Sequence, residues 1–79
     1  MLEAMKAILQ FKKDGLYVQI AGGMSEGNIP IWMVESNVPD KELREEFHEI
    51  FPQSDHQRYE NLRKLMFDWA ERKGYEQTI

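Results

Sequence analysis

The stretch Ile8-Leu9-Gln10-Phe11-Lys12-Lys13-Asp14-Gly15-Leu16-Tyr17-Val18-Gln19-Ile20-Ala21 decides the fold. Asp-Gly between two apolar runs is a strong local signal for a two-residue β-hairpin, because both turn residues must accept positive φ. That turn fixes a register. Lys13 falls opposite Leu16, Lys12 opposite Tyr17, Phe11 opposite Val18, Gln10 opposite Gln19, Leu9 opposite Ile20 and Ile8 opposite Ala21. Alternate pairs point to opposite faces. Phe11/Val18 and Leu9/Ile20 make an apolar face, whereas Lys12/Tyr17 and Gln10/Gln19 make a polar one. Turn chemistry and side-chain alternation therefore agree. The competing reading is an amphipathic helix over Leu2 to Lys12, through Leu2, Met5, Ile8 and Leu9. It wastes the Asp-Gly turn and leaves the second strand without its natural partner.

Beyond the hairpin, Gly22 to Asn28 reads as a loop by composition. Ile29 to Glu35 is rich in β-branched and aromatic residues and reads as a third strand. Pro30 cannot donate to a ladder, so this strand belongs at a sheet edge or begins at Ile31. Both of its alternating sets are apolar: Ile29, Ile31 and Met33 on one side, Trp32 and Val34 on the other. Pro39 suits the first turn of a helix carrying Leu43, Phe47, Ile50 and Phe51, which Pro52 stops. Ser54-Asp55-His56-Gln57 has the form of a capping box opening a second helix. Leu62, Leu65, Met66 and Trp69 form its apolar stripe, and Gly74 ends it.

The expected architecture is α+β: a three-stranded antiparallel β-meander followed by two α-helices packed on one face (β-β-β-α-α). It occupies a single domain over residues 1–79, with 1–5 frayed and 75–79 a C-terminal tail. The expected core is Leu9, Phe11, Leu16, Val18, Ile20, one apolar set of the third strand, Leu43, Phe47, Ile50, Leu62, Leu65, Met66 and Trp69. A chain of this size buries only about 60–65% of its unfolded surface, so little stability is in reserve. No disulfide supplements it, since the sequence has no cysteine. That absence fits a reducing compartment, and a cytoplasmic protein is expected. No apolar run approaches a membrane span, and no segment reads as a signal peptide.

The apolar content of 42% and charged content of 30% are those of a globular domain rather than a disordered chain. The net charge of −4 is concentrated. Residues 35–51 hold Glu35, Asp40, Glu42, Glu45, Glu46 and Glu49 against only Lys41 and Arg44, while the flanking segments balance. Such a protein is not expected to bind nucleic acid non-specifically.

No constellation recommends an enzyme. Glu45 and His48 have the spacing of a carboxylate–histidine pair, but di-iron sites need further carboxylates and a second such pair on other helices. His56 reads as a solvated first-turn residue. Ser25, Ser36 and Ser54 sit in loop or cap contexts, without a nucleophile elbow. The Gly22–Asn28 loop has no Gly-Lys-Ser/Thr and leads into a strand, so it does not cradle phosphate. No catalytic residue, cofactor or metal is expected.

Two surfaces remain. Glu42, Glu45, Glu46 and Glu49 share one helix face, an acidic ridge that either is simply solvated or attracts a basic partner. The outer sheet face gathers Lys6, Gln10, Lys12, Tyr17 and Gln19 with Ile8, beside one set of the third strand that includes Trp32 or Met33. Lysines among aromatics on an open sheet suit single-stranded nucleic acid. The plain reading is a solvated face, while the leftover apolarity of the third strand suggests a two-fold homodimer, against which Lys6 and Lys12 would approach their symmetry mates. Phe67 lies off the helix stripe, on the side of Arg63 and Glu71, and marks a further exposed aromatic. The function expected is that of a non-enzymatic protein-binding module, a small inhibitor or regulator of phage or mobile-element kind that occupies a partner surface. Its contact residues would be the ridge Glu42, Glu45, Glu46 and Glu49, or the outer-face set Lys12, Tyr17, Gln19 and Trp32. The alternative is a single-stranded nucleic-acid-binding domain using that outer face.

Gly15→Val tests the turn. It should lower the unfolding free energy by more than about 1 kcal/mol in chemical denaturation, since a β-branched residue resists positive φ. Unchanged stability would revive the N-terminal helix.

Overall fold

The computed structural model describes residues 5–39, 41–47 and 54–79. Asp14 and Gly15 both take positive φ (49° and 82°), the backbone of a tight hairpin turn. They join β1 (Lys6–Lys13) to β2 (Leu16–Met24) in the register expected from Lys13/Leu16 through Leu9/Ile20. The last expected pair fails. Ala7, not Ile8, is opposite Ala21, and the register shifts between Ala7 and Leu9. Ile8 is therefore the extra residue of a β-bulge. It lies over Gly22, where a Cβ would come within 3.2 Å of the Ile8 side chain. The bulge also sets Lys6 opposite Gly22, removing both Lys6 and Ile8 from the outer face.

β2 runs on through Gly22, Gly23 and Met24, which composition assigns to a loop. The connection is shorter, turning through Gly27 and Asn28 at positive φ and closing with Ser25 N–H donating to the Ile29 carbonyl at 2.9 Å. β3 (Pro30–Ser36) then pairs antiparallel with β2 without interruption. Ile20 faces Val34 and Gly22 faces Trp32, so Trp32 and Val34 share the core face, while Ile31 and Met33 take the other.

Among the described residues, the sheet carries one long C-terminal helix and one short helix rather than two comparable ones. The first, α1 (Lys41–Glu46), is described over six residues; Pro39 itself is not helical, and Asp40 between them lies outside the described residues. Leu43 and Phe47 are buried in the core. Ile50, Phe51, Pro52 and His48 lie outside the described residues. The second, α2 (His56–Lys73), is capped by Asp55 rather than Ser54: its carboxylate accepts from the Arg58 N–H at 3.2 Å. The cap is thus one residue later than the sequence pattern suggests, and Gln57 is not part of a capping box.

The buried side of α2 is Leu62, Met66, Trp69 and Ala70, with Tyr59 packed against it. At 100° per residue this stripe leaves Leu65 on one flank and Phe67 on the other, each roughly 90–110° from its centre. Leu65 is 46% exposed, so it is not a core residue. Leu16 is half-buried at the hairpin end. The core that results is Leu9, Phe11, Val18, Ile20, Trp32, Val34, Leu43 and Phe47 against the α2 stripe. Trp69 is fully buried, in edge contact with Phe47, and its indole N–H has no acceptor among the described residues.

The C-terminal residues are not a tail. Gly74 takes a left-handed conformation (φ 78°), the Gly74 N–H donates to Glu71 and the Tyr75 N–H to the Ala70 carbonyl at 2.8 Å. This is a Schellman turn, completed by Tyr75 packing on Trp69 with centroids 4.7 Å apart. The Lys13 ammonium donates to the Lys73 carbonyl at 2.8 Å, where the helix dipole favours a cation. The turn reverses the chain so that β4 (Glu76–Gln77) adds to β1, giving a four-stranded sheet in the order β3-β2-β1-β4. The Thr78 N–H donates to Gln10 at 2.8 Å, extending the pairing.

Gly74→Val should cost about 1–2 kcal/mol, because a side chain is strained in the left-handed region. Amides of Thr78 and Ile79 should lose exchange protection with it. Intact protection would show that β4 docks independently of the helix end.

Candidate functional site

The surfaces singled out by sequence do not assemble as drawn. On the outer sheet face, Lys12 pairs with Tyr17 and Gln10 with Gln19, as expected. The two glutamines are joined by a 2.6 Å bond from Gln10 Nε2 to Gln19 Oε1, and the Thr78 hydroxyl donates to Gln10 Oε1 at 2.8 Å. Gln19 is thereby tied into a polar network within the protein. Trp32 is not on this face. It is 6% exposed, packed on the core side against Tyr59 with centroids 5.9 Å apart. The reason is register: Trp32 falls opposite Gly22, whose missing side chain leaves room for the indole. With Lys6 also displaced by the bulge, the row of cations and aromatics that would track a single strand is reduced to Lys12 and Tyr17. The apolar part of the face is also largely covered, with Ala21 and Ile31 buried and Met33 half-buried.

Of the acidic ridge, Glu45 is exposed and lies 3.9 Å from the Lys41 ammonium. Glu49 lies outside the described residues, as do the side chains of Glu42 and Glu46. Phe67 is 36% exposed, and its ring meets Phe11 edge-on at 5.2 Å with the Arg63 guanidinium 5.6 Å above it. It covers the rim of the core rather than standing free.

Among the described residues, a concave feature lies elsewhere, at the end of the sheet farthest from the hairpin turn. A cleft of about 580 Å³ is bounded by Ile8, Ile29, Pro30, Trp32 and Tyr59, with Ser54 and His56 at its mouth. Two local features build it: the bulge swings Ile8 over Gly22, and the glycine pair in β2 leaves the floor bare. The wall is anchored by Trp32, whose indole N–H donates to the Asp55 carbonyl at 3.2 Å. The same carbonyl accepts the Tyr59 N–H at 3.1 Å, so one residue both starts α2 and ties it to β3. Ile8 and Ile29 stand 46% and 53% exposed at the rim. Grouped exposed aliphatics beside a concavity mark a binding surface more often than scattered ones do.

Chemically the cleft can hold an apolar group and offer a few polar contacts. His56 is solvent-exposed, with Nε2 3.8 Å from Glu60 Oε1. Among the described residues no group of three or more histidine, cysteine or acidic side chains is gathered to hold a metal ion. Among them, too, no helix is long and apolar enough to cross a membrane. Sequence reasoning missed this cleft, although Gly22-Gly23 facing Ile31-Trp32 across the ladder was a readable signal for space beside an aromatic. Compared with known protein families, curated proteins and solved structures, the chain has no match.

Trp32→Phe removes the indole donor and keeps most of the ring. It should lower stability by about 0.5–1.5 kcal/mol in chemical denaturation, the usual net value of such a bond. An unchanged midpoint would show that the tie to Asp55 contributes nothing.

Proposed function

We propose that the protein is a non-enzymatic protein-binding module that works by occupying a partner surface, in the manner of a small inhibitor or regulator such as phages and mobile elements encode. The observation that carries this reading is the apolar cleft with Ile8 and Ile29 exposed at its rim. A small domain has little apolar surface to spare, and leaving large aliphatics in water around a concavity is favourable only when something covers them. The residues bet on for contact are Ile8, Ile29, Trp32 and Tyr59, with His56 and Ser54 supplying polar contacts at the mouth. The reading as a single-stranded nucleic-acid platform is weakened, since Trp32 and Lys6 do not lie on the outer face.

Ile29→Asp tests it. Ile29 lies in the connection to β3 and is mostly exposed, so the change should alter stability by no more than about 0.5 kcal/mol. Affinity capture from a native lysate, with nuclease present, should enrich a partner with the wild type and lose it with the variant. Equal capture by both proteins would remove the cleft as the working surface. Co-purifying nucleic acid that vanishes with nuclease, taking the signal with it, would favour the outer-face alternative.

A further inference from the structure

The sheet has two edges. The β4 edge is two polar, exposed residues. The β3 edge is seven residues long, with Ile31-Trp32-Met33-Val34 uncharged and the ladder to β2 unbroken by a bulge. Proteins usually blunt such an edge with central charges, prolines or bulges. Here the only proline is at the very start.

Which backbone groups face outward follows from the bonds on either side of β3. The Ser25 N–H donates to the Ile29 carbonyl, and the Asn37 N–H to the Tyr17 carbonyl. Antiparallel ladders alternate, so Ile31, Met33 and Glu35 bond to β2. Pro30, Trp32, Val34 and Ser36 then turn their backbone groups away from it. Pro30, which has no N–H, sits where β2 requires none. The outer edge therefore presents the N–H groups of Trp32, Val34 and Ser36 and the carbonyls of Pro30, Trp32 and Val34. Among the described residues no strand pairs with that side of β3.

We propose that this edge binds an extended peptide segment of a protein partner, antiparallel to β3, with basic residues toward its N-terminal end and an apolar or aromatic residue toward its C-terminal end. The inference rests on the protein-binding reading above and gives it a mode, strand addition, in which backbone bonds supply affinity and side-chain sites supply choice. Antiparallel addition continues the pattern of the sheet and is the slightly more stable pairing. It brings the start of the peptide beside Ser36, where the chain enters the segment 35–51 with six carboxylates and two basic residues. Glu35 lies on the outer face at that end, and Glu45 is exposed. It brings the end of the peptide beside Pro30, at the apolar cleft of Ile29, Trp32 and Tyr59. Charge complementarity thus selects one end and apolar burial the other. A second copy of the chain fits less well: its own β3 has no basic residue, and it brings another net charge of −4.

The probe is a pool of short synthetic peptides, basic in the first half and alternating β-branched with aromatic residues in the second, presented to the isotope-labelled full chain. Binders should slow amide exchange at Trp32 and Val34 and weaken as salt rises. Methylating the peptide nitrogens that face β3 should cost at least about tenfold in affinity, and methylating the alternate nitrogens should not. Val34→Pro removes an outward N–H without touching the ladder to β2, and should reproduce that loss. Binding that ignores backbone methylation and perturbs only Ile8 and Tyr59 overturns strand addition while leaving the cleft reading intact. A pool with no binder, against a protein that still captures a partner through Ile29, overturns it in the same way. If Trp32 and Val34 are protected in the free protein and lose protection on dilution, the occupant is a second copy and the proposal fails.

Discussion

The Asp14-Gly15 turn sets the parity of the whole sheet. Because both residues adopt positive φ, Lys13 and Leu16 close the hairpin, and every later residue of β2 inherits its direction from that pair. Even-numbered residues of β2 bond to β1 and send Val18 and Ile20 into the core. Odd-numbered ones bond to β3 and send Tyr17 and Gln19 to the opposite face. The same parity passes to β3, where it puts Trp32 and Val34 under the helix, and to β1, where it leaves Gln10 to bond with the C-terminal segment. A slip of one residue would exchange the two faces throughout, replacing a core of Leu9, Phe11, Val18 and Ile20 with lysine, glutamine and tyrosine.

The helix is positioned by its two ends rather than by its stripe alone. At the start, Asp55 satisfies the Arg58 N–H with its carboxylate and the Trp32 indole with its carbonyl. At the finish, Gly74 turns the chain and Lys13 reaches the Lys73 carbonyl. One end is therefore fastened to β3 and the other to the hairpin tip beside β4, which spans the sheet diagonally. The cleft lies at the β3 end of this arrangement, where the Trp32–Asp55 tie holds the helix start beside Gly22 and Gly23.

Much of this was legible in the sequence, and the failures share a cause. The hairpin, its register near the turn, the edge position of the Pro30 strand and the helix end at Gly74 all follow from local rules. The bulge at Ile8 does not, because alternation alone cannot distinguish Ile8 from Ala7 as the partner of Ala21. The face taken by Trp32 could not be read within β3, where both sets are apolar; it depends on the cross-strand partner Gly22. Tyr75 to Ile79 looked like a tail because two residues of strand carry no periodic signal, and only the Schellman turn brings them to β1. The cleft arises from the first two of these features together, so no single stretch announced it. The outer-face patch weighed for a homodimer drew on Ile8 and an apolar half of β3; Ile8 instead lines the cleft, and Ile31 is buried.

The parity set by the turn is most directly tested by cross-strand contacts in solution. Lys12/Tyr17 and Gln10/Gln19 are the pairs that do not exchange hydrogen bonds with each other, so their Cα atoms should approach to about 4.5 Å. Strong Hα–Hα nuclear Overhauser effects between Lys12 and Tyr17, and between Gln10 and Gln19, are the predicted result. Contacts displaced by one residue, or sequential amide–amide contacts of a helix through Lys6 to Lys12, would contradict the account.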